Sequence, residues 1–243
     1  MIEITEKDEQ LLMLREDWED YSAECEAAMR IALAKIVNAH KALIRTEGQS
    51  PFDTVEHRLK TFESAVEKCI ERGFEEPTID DVMTQVKDVA GIRVITPFKD
   101  DVYDVVNILE HIPGINVVKK KDYVKEPKEN GYMSIHLHVQ IEVYLPGIGS
   151  KLMPVEIQVR DKAMDLWATI EHILKYKNDN PSPEVYRQFK AVAGLLNEFD
   201  QMAMDLRDFD PEIAAENTRS ALSGLSMPAT RLTLVLLKFK FRF

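Results

Sequence analysis

Cysteine is scarce in this sequence, which contains only Cys25 and Cys69 among its 243 residues. The two form no Cys-x-x-Cys pair, so the cysteine pattern suggests neither secretion nor a structural metal. Long apolar runs are also absent, and none approaches the roughly 20 residues that a membrane-spanning helix needs. The acidic N-terminal residues lack the basic region and apolar run of a secretion signal. We therefore expect a cytoplasmic protein with no membrane partner.

The sequence also lacks an excess of basic residues. Lysine and arginine total 31 against 42 aspartates and glutamates, which gives a formal net charge of -11 and a pI near 5.1. Affinity for DNA or bulk RNA comes from neutralising many phosphates, so no DNA partner is expected, although an RNA regulator is left open. A small anionic ligand in a local cationic pocket is compatible with this charge. The 45% hydrophobic content is enough for one large domain, with or without helical appendages.

The stretch Lys119–His136 is a positive patch within this acidic chain. Its five lysines face only three acidic residues, and such a patch attracts phosphates. Pro127 and the Asn130-Gly131 pair predict a turn, which delivers Tyr132 to the start of a strand, where its ring can stack on a base. The lysines are Lys119, Lys120, Lys121, Lys125 and Lys128.

Polar and apolar residues alternate after this turn. Ser134, His136, His138 and Gln140 occupy every second position, with aliphatic residues between them. This alternation predicts a strand with one polar and one apolar face. We expect the polar face to form the floor of a site. The alternative is a solvated hairpin, because lysine runs commonly protect an exposed strand edge.

A second cationic set lies between residues 53 and 73. Its members are Arg58, Lys60, Lys68 and Arg72, with Ser64 among them. Thr61 can cap a helix that begins there, and the free N–H groups and dipole of a helix start favour phosphate. Four-residue spacing predicts that Ser64, Lys68 and Arg72 share one helix face. The alternative is a solvated face whose cations pair with the glutamates of the same segment.

Two carboxylates are candidates for a metal site. Asp88 stands just ahead of a predicted strand, and Arg93 follows it five residues later. Glu156 lies on a later predicted strand whose polar positions also include Gln158 and Arg160. Mg²⁺ is commonly held by one or two carboxylates while phosphate oxygens and water complete its coordination. The alternative for Asp88 and Arg93 is an internal ion pair.

Hydrophobic periodicity predicts the remaining elements. A long helix over residues 6–45 carries a continuous apolar seam, which either lies on the domain's own core or also contributes to self-association. Further helices are expected at 78–86, 101–111, 161–177 and 185–208, and strands at 92–95, 115–118 and 151–160. This predicted succession of a strand, a helix, a strand and a long hairpin is typical of an α+β fold. Polar and apolar residues alternate over residues 231–243 as in a strand. This segment is an added strand, a partner contact or a cloning remnant.

The motifs are more specific in combination than singly. They are Arg58-x-Lys60 with Ser64, Lys68 and Arg72; Asp88-x-x-Gly91-x-Arg93; Lys121-Asp122-Tyr123; Pro127-Lys128-x-Asn130-Gly131-Tyr132-x-Ser134-x-His136; Glu156-x-Gln158-x-Arg160; and Trp167-x-x-x-Glu171-His172-x-x-x-Tyr176-Lys177. In this order they resemble the RelA/SpoT-type alarmone synthetases over roughly residues 50–177. The His-Asp dipeptide expected for the family's hydrolase domain is absent. The chain therefore resembles a small, stand-alone alarmone synthetase.

The resemblance implies a fold, a reaction and an assembly. The fold is α+β, with a mixed β-sheet flanked by helices, related to nucleotidyltransferases and extended by long N- and C-terminal helices. The reaction is transfer of a pyrophosphoryl group from ATP to the 3′-hydroxyl of GTP or GDP with Mg²⁺, and the assembly is a homotetramer. The implied division is an oligomerisation helix at 1–47, a synthetase core at 48–180, a C-terminal helix at 181–210 and a tail without a structural prediction at 211–243.

The family's residue roles carry over one by one. Asp88 and Glu156 are expected to hold Mg²⁺, and Glu156 also to help deprotonate the 3′-hydroxyl. ATP contacts are expected from Arg58, Lys60, Ser64, Lys68, Arg72 and Arg93. Tyr132 is expected to stack on guanine, and further acceptor contacts are expected from Lys121, Lys128, Asn130, His136 and Gln158. Met133 stands where many members have arginine, which leaves the preference between GTP and GDP open.

Two rival functions use parts of the same site. A relative that transfers pyrophosphate to the 3′ end of tRNA would share the donor site, but it needs a broad basic surface that the acidic composition disfavours. A non-catalytic nucleotide-binding regulator would keep the pocket and lose the metal pair, whereas Asp88 and Glu156 are both present.

Overall fold

The computed structural model describes residues 6–176 and 182–209, without the side chains of 6–13 and 175–176. The predicted tail at 211–243, its strand-like end and Lys177 lie outside the described residues. The chain divides into two compact units, 1–201 and 202–243. Of the second unit only residues 202–209 are described, and they hold the end of one helix. None of the described helices is long and apolar enough to cross a membrane.

The described residues form six helices and five strands in an α+β arrangement. In chain order these are α1 (Glu6–Glu47), β1 (Thr54–Leu59), α2 (Phe62–Ile70), α3 (Ile79–Gln85), β2 (Ala90–Thr96), α4 (Asp101–His111), β3 (Asn116–Asp122), β4 (Ile135–Leu145), β5 (Gly149–Asp161), α5 (Lys162–Tyr176) and α6 (Pro183–Arg207). The predicted helices are all present. The strand prediction was incomplete, because β1 was not anticipated and β3 and β5 are longer than expected.

The five strands form one mixed sheet in the order β1-β2-β5-β4-β3. Strands β2 and β5 are parallel, and every other neighbouring pair is antiparallel. Alternation along each strand sends aliphatic side chains to one face and most polar ones to the other. The aliphatic face forms the main core, which includes Ile92, Val94, Leu137, Val139, Ile157 and Val159. The opposite face is therefore available for a polar site.

Helix α1 covers the aliphatic face of the sheet. It contacts β2, β4 and β5, and its seam residues are buried there; they include Trp18, Tyr21, Cys25, Ala28, Ala32 and Ile36. Burial of a large side chain such as Ile36 contributes roughly 1.5–3 kcal/mol. The seam thus lies on the chain's own core, as the simpler of the two interpretations predicts. Self-association through this helix stays a prediction.

Helix α6 docks beside the end of β5 through two carboxyl groups. Asp161 caps α5 by accepting a hydrogen bond from the Met164 N–H at 2.7 Å. The Oδ2 atoms of Asp161 and Asp200 are both buried without a hydrogen-bond partner. We therefore expect the two carboxyls to share one proton. Burial, and then the charge of Asp161, raises the pKa of Asp200 to about 7, while Lys99 opposes the shift. Burial also raises the pKa of Asp161.

We expect this pair to make the stability of the fold depend on pH. A raised carboxyl pKa gives a stabilising contribution that is complete below the unfolded value of about 3.9 and is lost as pH rises towards 7. Between pH 5 and pH 8 the free energy of unfolding should fall by about 2 kcal/mol relative to Asp200→Asn, which stays neutral throughout. Urea unfolding at both pH values measures this difference. The exposed Glu198→Gln on the same helix is the control, and equal pH dependence in wild type and Asp200→Asn would refute the shared proton.

Candidate functional site

Two adjacent rows of side chains cross the polar face of the sheet. The first row runs through cross-strand partners on β1, β2, β5, β4 and β3, namely Arg58, Gly91, Glu156, His138 and Lys119. The second row runs beside it through Glu56, Arg93, Gln158, His136 and Lys121. Cross-strand partners lie on the same face with their Cβ atoms about 5 Å apart. The sheet thus brings five separate sequence motifs into one surface.

Two clefts meet on this surface. The central cleft has a volume of about 870 Å³, and its lining includes Lys68, Arg72, Asp88, Lys121, Lys128, His136, Glu156 and Gln158. The small cleft, of about 120 Å³, is lined by Glu56, His57, Arg58, Asp88, Gly91, Ile92, Arg93, Glu156 and Gln158. Asp88, Glu156 and Gln158 line both, so the predicted carboxylate pair stands where the clefts join.

Asp88 is held between two lysines. Lys68 Nζ donates a hydrogen bond to its Oδ2 at 2.7 Å, and Lys60 Nζ lies 3.4 Å from the same oxygen. Burial alone would raise the pKa of Asp88, but the hydrogen bond from Lys68 and the charge of Lys60 outweigh it and leave the pKa below its ordinary value. The other oxygen, Oδ1, is buried without a hydrogen-bond partner. Asp88 is therefore an anion with one oxygen left to bind a ligand.

Glu156, the second carboxylate of the site, is buried, with 8% of its surface exposed. Gln158 Nε2 donates to its Oε1 at 2.6 Å. His136 Nδ1 lies 3.5 Å from Oε1, and His138 Nδ1 lies 3.8 Å from Oε2. Burial lowers the pKa of His136 and of His138 more than Glu156 raises it. The two imidazoles next to Glu156 are therefore neutral at pH 7.

Asp88 and Glu156 fit a magnesium ion that is shared with phosphate. Both are carboxylates, the oxygen type that Mg²⁺ prefers, and Asp88 Oδ1 has no competing hydrogen bond. The described residues contain no group of three or more His, Cys, Asp or Glu side chains that could hold a metal ion alone. An ion at this junction therefore needs further ligands from substrate and water, as Mg²⁺ in phosphoryl-transfer sites commonly does.

Arg58 and Arg93 form the cationic walls of the small cleft. Arg93 NH1 lies 3.2 Å from Asp165 Oδ1 and 3.4 Å from Glu56 Oε2, which holds the guanidinium in place. Its Nε is buried without a hydrogen-bond partner. Both arginines also line a side cleft of about 550 Å³ next to α5. Their predicted contact with ATP stays a prediction.

Tyr132 is more enclosed than the stacking prediction implies. It precedes β4, and only 8% of its surface is exposed. Its ring packs against Trp167 and Tyr123 with centroids 5.9 and 6.0 Å away, and Lys128 Nζ lies 4.7 Å from its centroid. The ring lines the side cleft, not the central one. Stacking on guanine requires a rearrangement of these neighbours, and it stays a prediction.

Three predicted residues have local partners. Arg72 lies beyond the end of α2, so the helix face that it was expected to share does not reach it; its guanidinium donates to the Gln85 carbonyl. Ser64 accepts a hydrogen bond from the Thr61 hydroxyl at 3.2 Å and lines none of the three clefts. Asn130 Nδ2 donates to Glu171 Oε1 at 2.6 Å.

The turn at Gly131 is fitted closely against α6. Gly131 has a φ of +89°, and a Cβ at this position would lie 2.6 Å from the Cβ of Ala193. The Asn130 side chain accepts a hydrogen bond from the Tyr132 N–H at 3.1 Å. The Asn-Gly pair therefore shapes the loop that carries Tyr132 and Lys128.

Sequence reasoning assigned no role to His138, Arg160 or Asp165. Alternation placed His138 and Arg160 on polar faces, and that was the available signal. His138 lies between Glu156 and the lysines of β3. Asp165 contacts Arg93 and Arg160 at 3.2 and 3.3 Å, and this link depends on the corner between β5 and α5, which no motif reveals.

Known proteins are similar to this chain in sequence and in fold. The profile described as "Region found in RelA / SpoT proteins" matches residues 57–181. GTP pyrophosphokinase YwaC of Bacillus subtilis (strain 168) is 31% identical over 207 residues, which are 85% of this chain and 97% of the relative. The crystal structure of small alarmone synthetase 1 from Bacillus subtilis bound to its product pppGpp superposes with a TM-score of 0.71 at 30% identity, covering 78% of this chain and 96% of that one. The same enzyme bound to AMPCPP gives a TM-score of 0.64 at 27% identity, covering 79% and 96%.

Proposed function

The chain belongs to the RelA/SpoT family and is a GTP pyrophosphokinase, and from that premise we propose that it transfers the β,γ-pyrophosphate of ATP to the 3′-hydroxyl of GTP or GDP with Mg²⁺. One observation carries this proposal. Asp88 and Glu156 stand where a small cleft lined by arginines meets a larger cleft lined by lysines and histidines. Two phosphate-bearing substrates can thus reach one pair of carboxylates from two sides. We further propose that the reaction takes place in the cytoplasm and serves stringent-response signalling.

ATP is proposed to occupy the small cleft, with its phosphates directed towards Asp88. Arg58 and Arg93 offer planar cations that can stack on adenine, and Lys60 and Lys68 beside Asp88 offer charges for the phosphates. The Bacillus subtilis enzyme binds its product pppGpp in one structure and AMPCPP in another, which supports guanosine and adenosine nucleotides as ligands of this chain. The hydroxyl of Ser64 pairs with Thr61, the N-cap of α2, and Ser64 is left out of the proposed contacts.

GTP or GDP is proposed to occupy the central cleft. Lys121 and His136 are cross-strand partners on its floor, and Lys128 lies above the two tyrosine rings near its edge. Movement of Lys128 onto a phosphate would uncover the ring face of Tyr132 for guanine. The neutral His136 can donate or accept a hydrogen bond without adding charge.

Catalysis is proposed to rest on positioning and charge neutralisation, which dominate phosphoryl-type transfer. Mg²⁺ held by Asp88 and Glu156 would neutralise charge on the transferred group. Glu156 is placed to accept the proton of the 3′-hydroxyl, because the Gln158 side chain leaves its second oxygen free of that hydrogen bond. Lys60 and Lys68 would move from Asp88 towards the phosphates as the charge there builds up.

Incubation of the purified protein with γ-labelled ATP, Mg²⁺ and GTP, GDP or bulk tRNA tests this function. Label in guanosine pentaphosphate or tetraphosphate is the expected result, and the two rates set the acceptor preference. Label on tRNA alone would replace the proposed acceptor with RNA. Absence of label from every acceptor would contradict a stand-alone synthetase.

Arg93→Met should weaken the use of ATP without affecting the acceptor. Loss of the planar cation should lower kcat/KM for ATP by at least about tenfold, because Arg93 Nε is buried with a free hydrogen-bonding position. The KM for GTP should stay within about twofold, since Arg93 does not line the central cleft. Arg30→Met is the matched control, on a side chain that is 72% exposed. An equal rise in both KM values would remove the assignment of the small cleft to ATP.

A further inference from the structure

Arg160 is a buried cation to which neither the motifs nor the proposed substrate contacts give a role. It is 5% exposed, and its NH2 group donates to Gln158 Oε1 at 2.7 Å and to the Tyr132 hydroxyl oxygen at 2.7 Å. Asp165 Oδ1 lies 3.3 Å from its other terminal nitrogen. Arginine has only donors, so the atom that faces each of these nitrogens must be an acceptor.

This constraint orients the Gln158 side chain. Its oxygen must face Arg160, and its NH₂ group must therefore face the other way, towards Glu156 Oε1 at 2.6 Å. A carboxylate only accepts hydrogen bonds. The amide orientation that Arg160 requires is therefore also the one that Glu156 requires. A flipped amide would place an oxygen against Glu156 and an NH₂ group against the guanidinium, and both contacts would repel.

Arg160 is also linked to Glu156 through Tyr132 and His136. The Tyr132 oxygen accepts from Arg160, and its hydrogen is free to be donated to His136 Nε2, 2.8 Å away. An imidazole whose Nε2 accepts this hydrogen bond carries its N–H on Nδ1. Nδ1 is the atom that lies 3.5 Å from Glu156 Oε1, where an N–H is favourable and a lone pair is not.

We infer that Arg160 is a positioning residue that directs two hydrogen-bond donors, the Gln158 amide and the His136 Nδ1–H, onto one oxygen of Glu156. This inference rests on the proposed function of Glu156. With Oε1 hydrogen-bonded to Gln158 at 2.6 Å and faced by His136 Nδ1 at 3.5 Å, Oε2 is the oxygen left to face the reacting groups. Tyr132 transmits one of the two links, which gives its hydroxyl a role separate from any stacking of its ring.

The protonation of His136 in the wild-type protein is the first test, and it needs no catalysis. Selective ¹⁵N labelling of the six histidines, with two-bond correlation spectra, reports which ring nitrogen carries hydrogen. We expect Nδ1 protonated and Nε2 unprotonated for His136, and a mixture of tautomers in Arg160→Met. An Nε2-protonated His136 in the wild type would overturn the inference even if the protein synthesises pppGpp.

Kinetics of Arg160 variants form the second test. In Arg160→Met, kcat should fall by about 10- to 100-fold, as for loss of other outer-shell partners, while the KM for ATP stays within about twofold. Tyr132→Phe removes one of the two links and should cost less than Arg160→Met. Arg160→Lys keeps a cationic donor group, without the planar fork of arginine, and should recover part of kcat. Unchanged kcat in Arg160→Met would overturn the inference and leave the proposed function standing.

Folding and function are separated by two further measurements. Arg30→Met is the control for loss of an arginine, and thermal unfolding of each variant shows whether kcat is measured on folded protein. Should Arg160→Met fail to fold, the wild-type tautomer and the Tyr132→Phe kinetics still decide. A wild-type protein that transfers no pyrophosphate would refute the proposed function. The His136 spectrum would still show whether the inferred hydrogen bonds are present.

Discussion

Replacement of Asp88 by Asn is expected to lower the rate of pyrophosphate transfer by about a thousandfold, comparable to the loss of one strong electrostatic contact in a dry site. The Oδ1 atom of Asp88 is buried without a hydrogen-bond partner, and Lys60 and Lys68 keep the carboxylate ionised. An amide of the same shape cannot supply this charge to Mg²⁺. Initial rates with ATP and GTP over a series of Mg²⁺ concentrations measure the effect, and the variant should have lost the wild-type dependence on Mg²⁺.

Loss of activity in this variant must be separated from loss of structure. The substitution leaves two partly buried lysines without their anion, so some loss of stability is expected, on the order of 1–3 kcal/mol. Asp80→Asn, at an exposed position in the first turn of α3, is the matched control. Retained turnover in a folded Asp88→Asn protein would remove Asp88 from the metal site.

Glu156→Gln is expected to lower kcat by a similar factor, about a thousandfold, but for two reasons. The change removes one Mg²⁺ ligand and the proposed proton acceptor for the 3′-hydroxyl, and general-base catalysis alone is worth roughly 10²- to 10⁴-fold. Because Asp88 and the surrounding lysines and arginines remain, binding of ATP in the small cleft should change little. Equilibrium binding of a non-hydrolysable ATP analogue, measured beside kcat, separates the two effects.

The control for Glu156→Gln is Glu142→Gln on β4, whose side chain is exposed. It makes the same chemical change on the neighbouring strand, away from both clefts. Loss of ATP-analogue binding in Glu156→Gln, with normal binding in Glu142→Gln, would mean that Glu156 serves ATP binding more than the chemical step.

The helices and the polar strand of this fold could be predicted because their patterns are local. Helix α4 spans Asp101–His111, as predicted, since its apolar residues follow a helical period. Thr61 caps α2 through the Ser64 N–H at 3.3 Å, as its residue type and position predict. Alternation along β4 correctly placed His136 and His138 on one face.

Strand β1 could not be predicted in the same way. The segment Thr54–Leu59 is an edge strand that is exposed at most positions, so it has no buried face and no alternating pattern. Its pairing with β2 is a tertiary interaction. This strand nevertheless places Arg58 beside Gly91 and lines the small cleft. Arg58 was expected only to precede the helix that Thr61 caps, and its position on a strand was not predicted.

The arrangement of the site could be predicted only in part. Asp88 and Glu156 were expected to share a metal because both are carboxylates. They lie at one site because β2 pairs in parallel with β5, a strand far away in the sequence. The enclosure of Tyr132 depends on the packing of α5 and α6 around Trp167. Alternation along β5 predicted that Glu156, Gln158 and Arg160 share a face, but not that hydrogen bonds join them. The second path, through Tyr132 and His136, depends on tertiary packing that no spacing in the sequence reveals.

One stoichiometry tests the central claim most directly. Purified protein, ATP, GTP and Mg²⁺ are incubated, and the nucleotides are separated by anion-exchange chromatography at several times. The account predicts one AMP for each guanosine pentaphosphate, with both phosphates on the 3′-oxygen derived from one ATP. ADP and inorganic phosphate as the products, or AMP without a guanosine product, would contradict transfer of an intact pyrophosphate to the 3′-hydroxyl.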